Sequence, residues 1–167
     1  MKAVIQTVHD ARVTVDNNVV GQIKDGMLIY FGVAKNDEER DVIPFFDKIL
    51  KMRIFKDENQ RMNLNLKSVN GSILLVSQFT LETNIYAGNR PSLDSAAPGE
   101  KAKLFYEKAI KYLKDLGYEV STGVFGAHMM VSSAALVVNL QCLLPSTVQN
   151  LDISLDIFRY YLLLSVL

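Results

Sequence analysis

Met27-Leu28-Ile29-Tyr30-Phe31-Gly32-Val33 is an unbroken apolar run that opens directly after Gly26. A strand with one wet face alternates apolar and polar residues. A run without alternation fits a strand covered on both faces. Ser72-Ile73-Leu74-Leu75-Val76-Ser77 is a second run of the same kind. Two such strands call for a sheet with material packed on each side. Upstream the pattern changes: Val13 and Val15 alternate with Arg12, Thr14 and Asp16, the period-2 signature of a half-buried strand. Asp16-Asn17-Asn18 is turn chemistry, and Val19 to Ile23 resumes an extended segment.

Two stretches carry helical spacing instead. Asn36-Asp37-Glu38-Glu39 reads as a helix start, with acids in the first turn. Val42, Phe45, Phe46, Ile49 and Leu50 follow on one face. The spacing predicts a helix from Glu38 to about Lys51, with Pro44 marking its early part. Lys56 to Gln60 is a polar loop. A second helix is predicted from about Glu100 to Leu116. Its stripe is Phe105, Ala109, Tyr112, Leu113 and Leu116, with Glu107 and Lys111 as an i,i+4 pair and Gly117 at its end. Between the helices, Asn84 to Gly99 is a long loop of small and polar residues, a length usually tied to function. Glu119 to Val131 reads as extended again. The fold class is α+β: short strands around two amphipathic helices.

Composition narrows the function classes. The chain has 167 residues, 49% of them hydrophobic and 22% charged, which suits one globular domain. Formal net charge is zero. That argues against coating long nucleic acid, which requires many phosphate-neutralising side chains, but allows a grip on one RNA end. Cys142 is the only cysteine, so neither an intrachain disulfide nor a thiolate zinc site can form, and a reducing cytoplasmic setting is expected. No metal-ligand spacing is present, and no cofactor is expected. The opening lacks the apolar core of a signal peptide. Asp152, Asp156 and Arg159 interrupt the apolar C-terminal end, which falls short of the roughly 20 apolar residues of a membrane span.

Three segments point further. Met1-Lys2-Ala3-Val4-Ile5-Gln6, with Gly32-Val33, resembles the start of the D-aminoacyl-tRNA deacylase family. Ser77-Gln78-Phe79-Thr80, directly after a buried strand, resembles that family's first signature, and Gly88-Asn89-Arg90-Pro91-Ser92 its following loop. Thr122-Gly123-Val124-Phe125-Gly126-Ala127-His128-Met129 is similar to the segment lining its terminal adenosine pocket. The three run in the family's order across residues 1–131.

The resemblance implies a curved, barrel-like sheet with two helices in a homodimer, with the site at the subunit interface. The implied substrate is an aminoacyl ester on the terminal ribose of tRNA, at the acceptor end. The implied reaction is its hydrolysis as proofreading, and glycyl-tRNA is also admitted. Ester hydrolysis needs a donor aimed at the developing oxyanion; the resemblance assigns this to the N–H of Phe79. Gln78 would orient the ester or ribose. Thr80 has no activating base nearby in sequence, so its role is supportive, beside Ser77, with water attacking under assistance from the RNA 2′-hydroxyl. Phe125, Gly126, Ala127 and Met129 would bind the adenosine, and Arg90 the RNA backbone.

Plainer readings stand beside these. Phe125 and Met129, four apart in an extended segment, would share a face as ordinary core residues. His128 is read as structural, because no Ser-His-Asp constellation accompanies it or His9. Lys48, Lys51, Arg53 and Lys56 read as a solvated face.

After Val131 the sequence departs from the family pattern, which continues with a strand and an Asn-Asp-Gly-Pro-Val-Thr type motif. That motif's cis Gly-Pro bond enters the partner's pocket and excludes L-amino acids. No Gly-Pro occurs in this sequence, and Pro145 follows Leu144. The chain therefore divides into a deacylase-like domain, 1–131, and a divergent apolar tail, 132–167. Without the closing strand a sheet edge would be open, with two expected fates: cover by the Leu-, Val- and Ile-rich tail, or aggregation. A non-catalytic relative that binds tRNA ends or proteins, and an aberrant splice product, are the competing readings.

Overall fold

A computed structural model describes residues 1–84 and 89–140, with side chains omitted for 135–140. Gly88, Cys142, Leu144, Pro145 and the rest of the tail lie outside the described residues. Eight strands and two helices follow in chain order: β1 (Lys2–Val15), β2 (Asn18–Ile23), β3 (Gly26–Gly32), α1 (Val42–Leu50), β4 (Phe55–Lys56), β5 (Met62–Leu64), β6 (Ser72–Ser77), α2 (Gly99–Asp115), β7 (Val120–Thr122) and β8 (Met130–Leu140).

β1 organises the sheet. Its first half pairs antiparallel with β3, from Lys2 opposite Gly32 to Val8 opposite Gly26. Its second half pairs with β2, from Ala11 opposite Ile23 to Val15 opposite Asn18. Its other edge carries β8, from Ile5 opposite Leu140 to Thr14 opposite Met130. β3 then pairs parallel with β6, and β6 parallel with β7. β7 in turn approaches β2: Ser121 Oγ donates to the Gln22 carbonyl at 2.8 Å. The result is the nearly closed, barrel-like mixed sheet with two helices that the sequence led us to expect.

Closure depends on Gly21. A Cβ there would lie 2.2 Å from the Thr122 carbonyl oxygen, an overlap with backbone that no rotamer can relieve.

The unbroken runs are buried on both faces, as their composition demanded. Met27, Ile29 and Phe31 of β3 and Ile73 and Leu75 of β6 face the helices. Leu28, Leu74 and Val76 join Val8, Ala11, Val13 and Ile23 in a second apolar layer. α1 buries Val42, Phe45, Phe46, Ile49 and Leu50, the predicted stripe. Each side chain so buried contributes roughly 1.5–3 kcal/mol. Pro44 is the third residue of α1, where its missing N–H costs no intrahelical bond.

Several local expectations are corrected. The α-helix begins at Val42 rather than Glu38, after a 3₁₀ turn over Glu39–Asp41. Asp37 does not cap it: its carboxylate accepts from the Ala34 N–H at 2.7 Å and pairs with the Met1 ammonium. On α2, Tyr106 replaces Leu116 in the buried stripe, and Leu116 is exposed. The i,i+4 ion pairs there are Lys103 with Glu107 and Lys111 with Asp115, not Glu107 with Lys111. The β1 edge left by the missing family strand is covered, as one of the two expected fates of the tail, because β8 continues through Val131 to Leu140.

Replacing Gly21 with Val is expected to destabilise the fold by about 1–3 kcal/mol, the range for forced overpacking. A thermal melt would show it as a drop in Tm. An unchanged Tm would mean that β2 and β7 need not approach so closely.

Candidate active site

The carboxyl end of β6 leads straight into the site. Ser77 is the last residue of β6 and lies opposite Phe31 of β3. The Gln78 N–H donates to the Phe31 carbonyl at 2.8 Å. The chain then winds into one 3₁₀ turn, Phe79–Glu82. As the first residue of that turn, Phe79 has no intrahelical acceptor for its N–H. Phe79 is 58% exposed.

The second wall is Phe125 to Met129. It is not extended, as the sequence suggested. Gly126 has φ +79°, in the left-handed region that favours glycine, and the Ala127 N–H donates to the Val124 carbonyl at 3.2 Å. The chain therefore turns at Phe125–Gly126. Phe125 and Met129 still line one cleft, but they are carried there by a turn rather than by strand periodicity.

Ser77, Gln78, Phe79, Phe125, Gly126, Ala127 and Met129 all line this cleft, whose volume is about 460 Å³. That lies within the range of small-ligand sites, roughly 300–1,000 Å³. Thr80 is exposed and does not line it; its hydroxyl accepts from Gln78 Nε2. Arg90 is exposed outside the cleft, on a loop tied at its base by paired Asn84 and Ser92 backbones. His128 lines the cleft, and no carboxylate among the lining residues is there to orient it. His9 pairs with Asp25, away from the cleft.

Sequence reasoning missed the floor. Tyr106 lines the cleft, and its ring packs on Phe125 at 5.8 Å between centroids. Its hydroxyl donates to the Leu75 carbonyl at 2.7 Å, and the same carbonyl accepts the Gly123 N–H at 3.2 Å. One β6 carbonyl thus joins the strand, the helix and the second wall. Ala96, Ala97, Gly99 and Ala102 complete the floor beside it. The cluster of small residues at the start of α2 was the available signal, since small side chains leave room for a ligand.

With this geometry in place, relatives can be compared. The family model described as D-Tyr-tRNA(Tyr) deacylase matches residues 4–135. The chain belongs to that family. A D-aminoacyl-tRNA deacylase of Clostridioides difficile is 49% identical over 131 residues, covering 78% of this chain and 88% of the relative. One from Thermotoga petrophila is 47% identical with the same coverage. Among solved structures, one described as c-Myc DNA Unwinding Element Binding Protein superposes with a TM-score of 0.74 at 34% identity, covering 80% of this chain and 91% of that one. A probable eukaryotic D-amino acid tRNA deacylase shares the fold, with a TM-score of 0.67 at 14% identity and coverage of 79% and 92%. The family match ends at residue 135, inside β8.

Burial pushes the Tyr106 hydroxyl up to about 12. An unfolded tyrosine titrates near ~10. Between these values the folded chain keeps a proton that the unfolded chain has lost, so stability falls as pH rises through that window. Tyr112, raised to about 12 mainly by its hydrogen bond to Asp47, adds to the same loss. Tyr106→Phe should therefore show a shallower decline of Tm between pH 10 and 12 than the parent chain. Parallel declines would contradict the assignment.

Proposed function

We propose that this cleft hydrolyses the ester joining a D-amino acid to the terminal ribose of tRNA, releasing free D-amino acid and tRNA. The observation that carries the reading is the convergence of Ser77–Phe79 and Phe125–Met129 on one cleft, in a chain of the deacylase family. An aminoacyl-adenosine spans both walls: the ester meets the β6 end and the adenine meets the Phe125 turn. Only the acceptor end of a tRNA fits such a volume. The neutral net charge agrees with a grip on an RNA end rather than along its length.

Water adds to the ester carbonyl, and the carbonyl oxygen becomes an oxyanion. The Phe79 N–H, without an intrahelical acceptor, supplies the donor. Collapse breaks the bond to the ribose oxygen, which leaves with a proton. Gln78 Nε2 is engaged with Thr80, which leaves the Gln78 amide oxygen to accept from a ribose hydroxyl. Thr80 acts through Gln78. The RNA 2′-hydroxyl assists water, since no carboxylate or lysine lines the cleft among the described residues. Arg90, on its exposed loop, contacts the RNA backbone. We further propose a homodimer working in the cytoplasm. Among the described residues, no helix is long and apolar enough to cross a membrane.

Thr80→Ala should lower kcat/KM for D-tyrosyl-tRNA about fivefold without abolishing it, because the hydrogen bond lost is worth ~1 kcal/mol. A covalent acyl group trapped on Thr80 would refute water attack. Failure of the folded chain to hydrolyse either D- or L-tyrosyl-tRNA would refute the function.

Chirality gives a second expectation. The family resemblance places L-rejection in a rigid Gly-Pro element that clashes with the L side chain. This sequence has none. Hydrolysis of D- and L-tyrosyl-tRNA by this chain should differ far less than with a grafted Asn-Asp-Gly-Pro-Val-Thr strand. Strong D-selectivity in the unaltered chain would place the gate in other residues.

A further inference from the structure

The turn that carries Phe79 is weak by itself. Its backbone bonds are long: Leu81 N–H to the Gln78 carbonyl at 3.3 Å and Thr83 N–H to the Thr80 carbonyl at 3.2 Å. Single 3₁₀ turns have poor hydrogen-bond geometry and do not hold a direction unaided. Upstream, the Gln78 N–H anchors this one to β3. Downstream, the anchor is a side chain from β1. The Lys2 ammonium donates to the Leu81 carbonyl at 3.1 Å and pairs with Glu82 Oε2 at 3.1 Å.

Glu82 is only 3% exposed. Ser95 Oγ donates to its backbone carbonyl. Its Oε1 is buried without a hydrogen-bond partner among the described residues. A buried carboxylate with one oxygen unsatisfied is expensive to keep, and a hydrophobic residue would often serve stability as well. Global stability therefore does not account for it. Its location does: it sits three residues after Phe79, bonded to the one ammonium that also holds the turn's backbone.

We infer that Lys2 and Glu82 are a positioning pair that fixes the direction of the Phe79 N–H. This rests on the reading of that N–H as the oxyanion donor. Neither side chain lines the cleft, so neither touches substrate. Their effect is on the angle of the donor, and it belongs to the transition state rather than to substrate binding.

The test combines kinetics on D-tyrosyl-tRNA with the ¹H–¹⁵N resonance of the Phe79 amide in the full chain. Lys2→Met should lower kcat about 10- to 100-fold, the scale of loss from slight misplacement, with KM within about twofold. It should also shift the Phe79 amide. Lys2→Arg should restore both. Adding Glu82→Gln to Lys2→Met should recover part of kcat, because the stranded buried charge is removed. Lys103→Met, on the exposed face of α2, is the control and should change neither readout.

Wild-type kcat together with an unmoved Phe79 amide in Lys2→Met overturns the inference. So does a loss of kcat with the amide unmoved. Should Lys2→Met fail to fold, Glu82→Asp, which shortens the carboxylate arm, must shift the amide in its place; an unmoved resonance there is equally decisive. If the parent chain hydrolyses nothing, the proposed function falls, while the resonance still shows whether the pair sets the amide.

Discussion

β1 uses both edges along most of its length, and the site inherits its geometry from that. β3 and β2 share one edge end to end, and β8 runs along the other. The pairing with β3 places Phe31, and Phe31 registers both Ser77 and Gln78 at the end of β6. A one-residue slip between β1 and β3 would invert every side chain of β3. It would also displace the carbonyl that anchors Gln78. Register here is set by burial on both faces of β3, so the position of the turn at Phe79 is fixed by the same apolar packing that stabilises the fold.

The parts of this arrangement visible in the sequence are those with periodicity or composition behind them. Met27–Val33 reads as a doubly covered strand, and Val42 to Leu50 as a helix with one apolar face. Ser77–Thr80 and Phe125–Met129 were legible as motifs, and Ser77–Phe79 and Phe125–Met129 do line one cleft, whereas Thr80 stays outside it. The route by which Phe125 and Met129 meet was not legible. Period-2 reasoning put them on one face of a strand, whereas a left-handed Gly126 turns the chain between them. The role of Asp37 within the helix-start segment was hidden for a related reason: its partner, the Met1 ammonium, is distant in sequence. Tyr106 escaped notice because the expected stripe ran through Phe105, Ala109 and Tyr112 and passed it by. It is core and cleft floor at once.

The covered β1 edge alters the physical meaning of the divergent C-terminal sequence. Met130 to Leu140 pairs with β1 across and beyond the end of the family match. Backbone ladders require little of the side chains that ride on them, so a foreign sequence can complete a sheet edge that a family-specific motif would otherwise occupy. Chiral selection, on the family resemblance, is different, because it would rest on one rigid dipeptide in one place. A tail can therefore preserve the barrel and still lose the gate, and stability and selectivity need not fail together.

The chemistry of the cleft follows from what its walls lack. Among the described lining residues only Tyr106 and His128 are ionisable. Burial drives the Tyr106 proton to about 12, far above neutral pH, so the phenol cannot serve as a base there. His128 has no lining carboxylate to fix its tautomer. The remaining polar groups are amides and a hydroxyl. Such a surface is suited to stabilising charge that develops on a substrate rather than to moving protons itself. A backbone donor held by sheet register has a further merit. It does not ionise near neutral pH, and no substitution at Phe79 other than proline can delete it. On the proposed reading, side-chain variants around the turn act by tilting this donor, which makes the Lys2–Glu82 pair behind it the place to test.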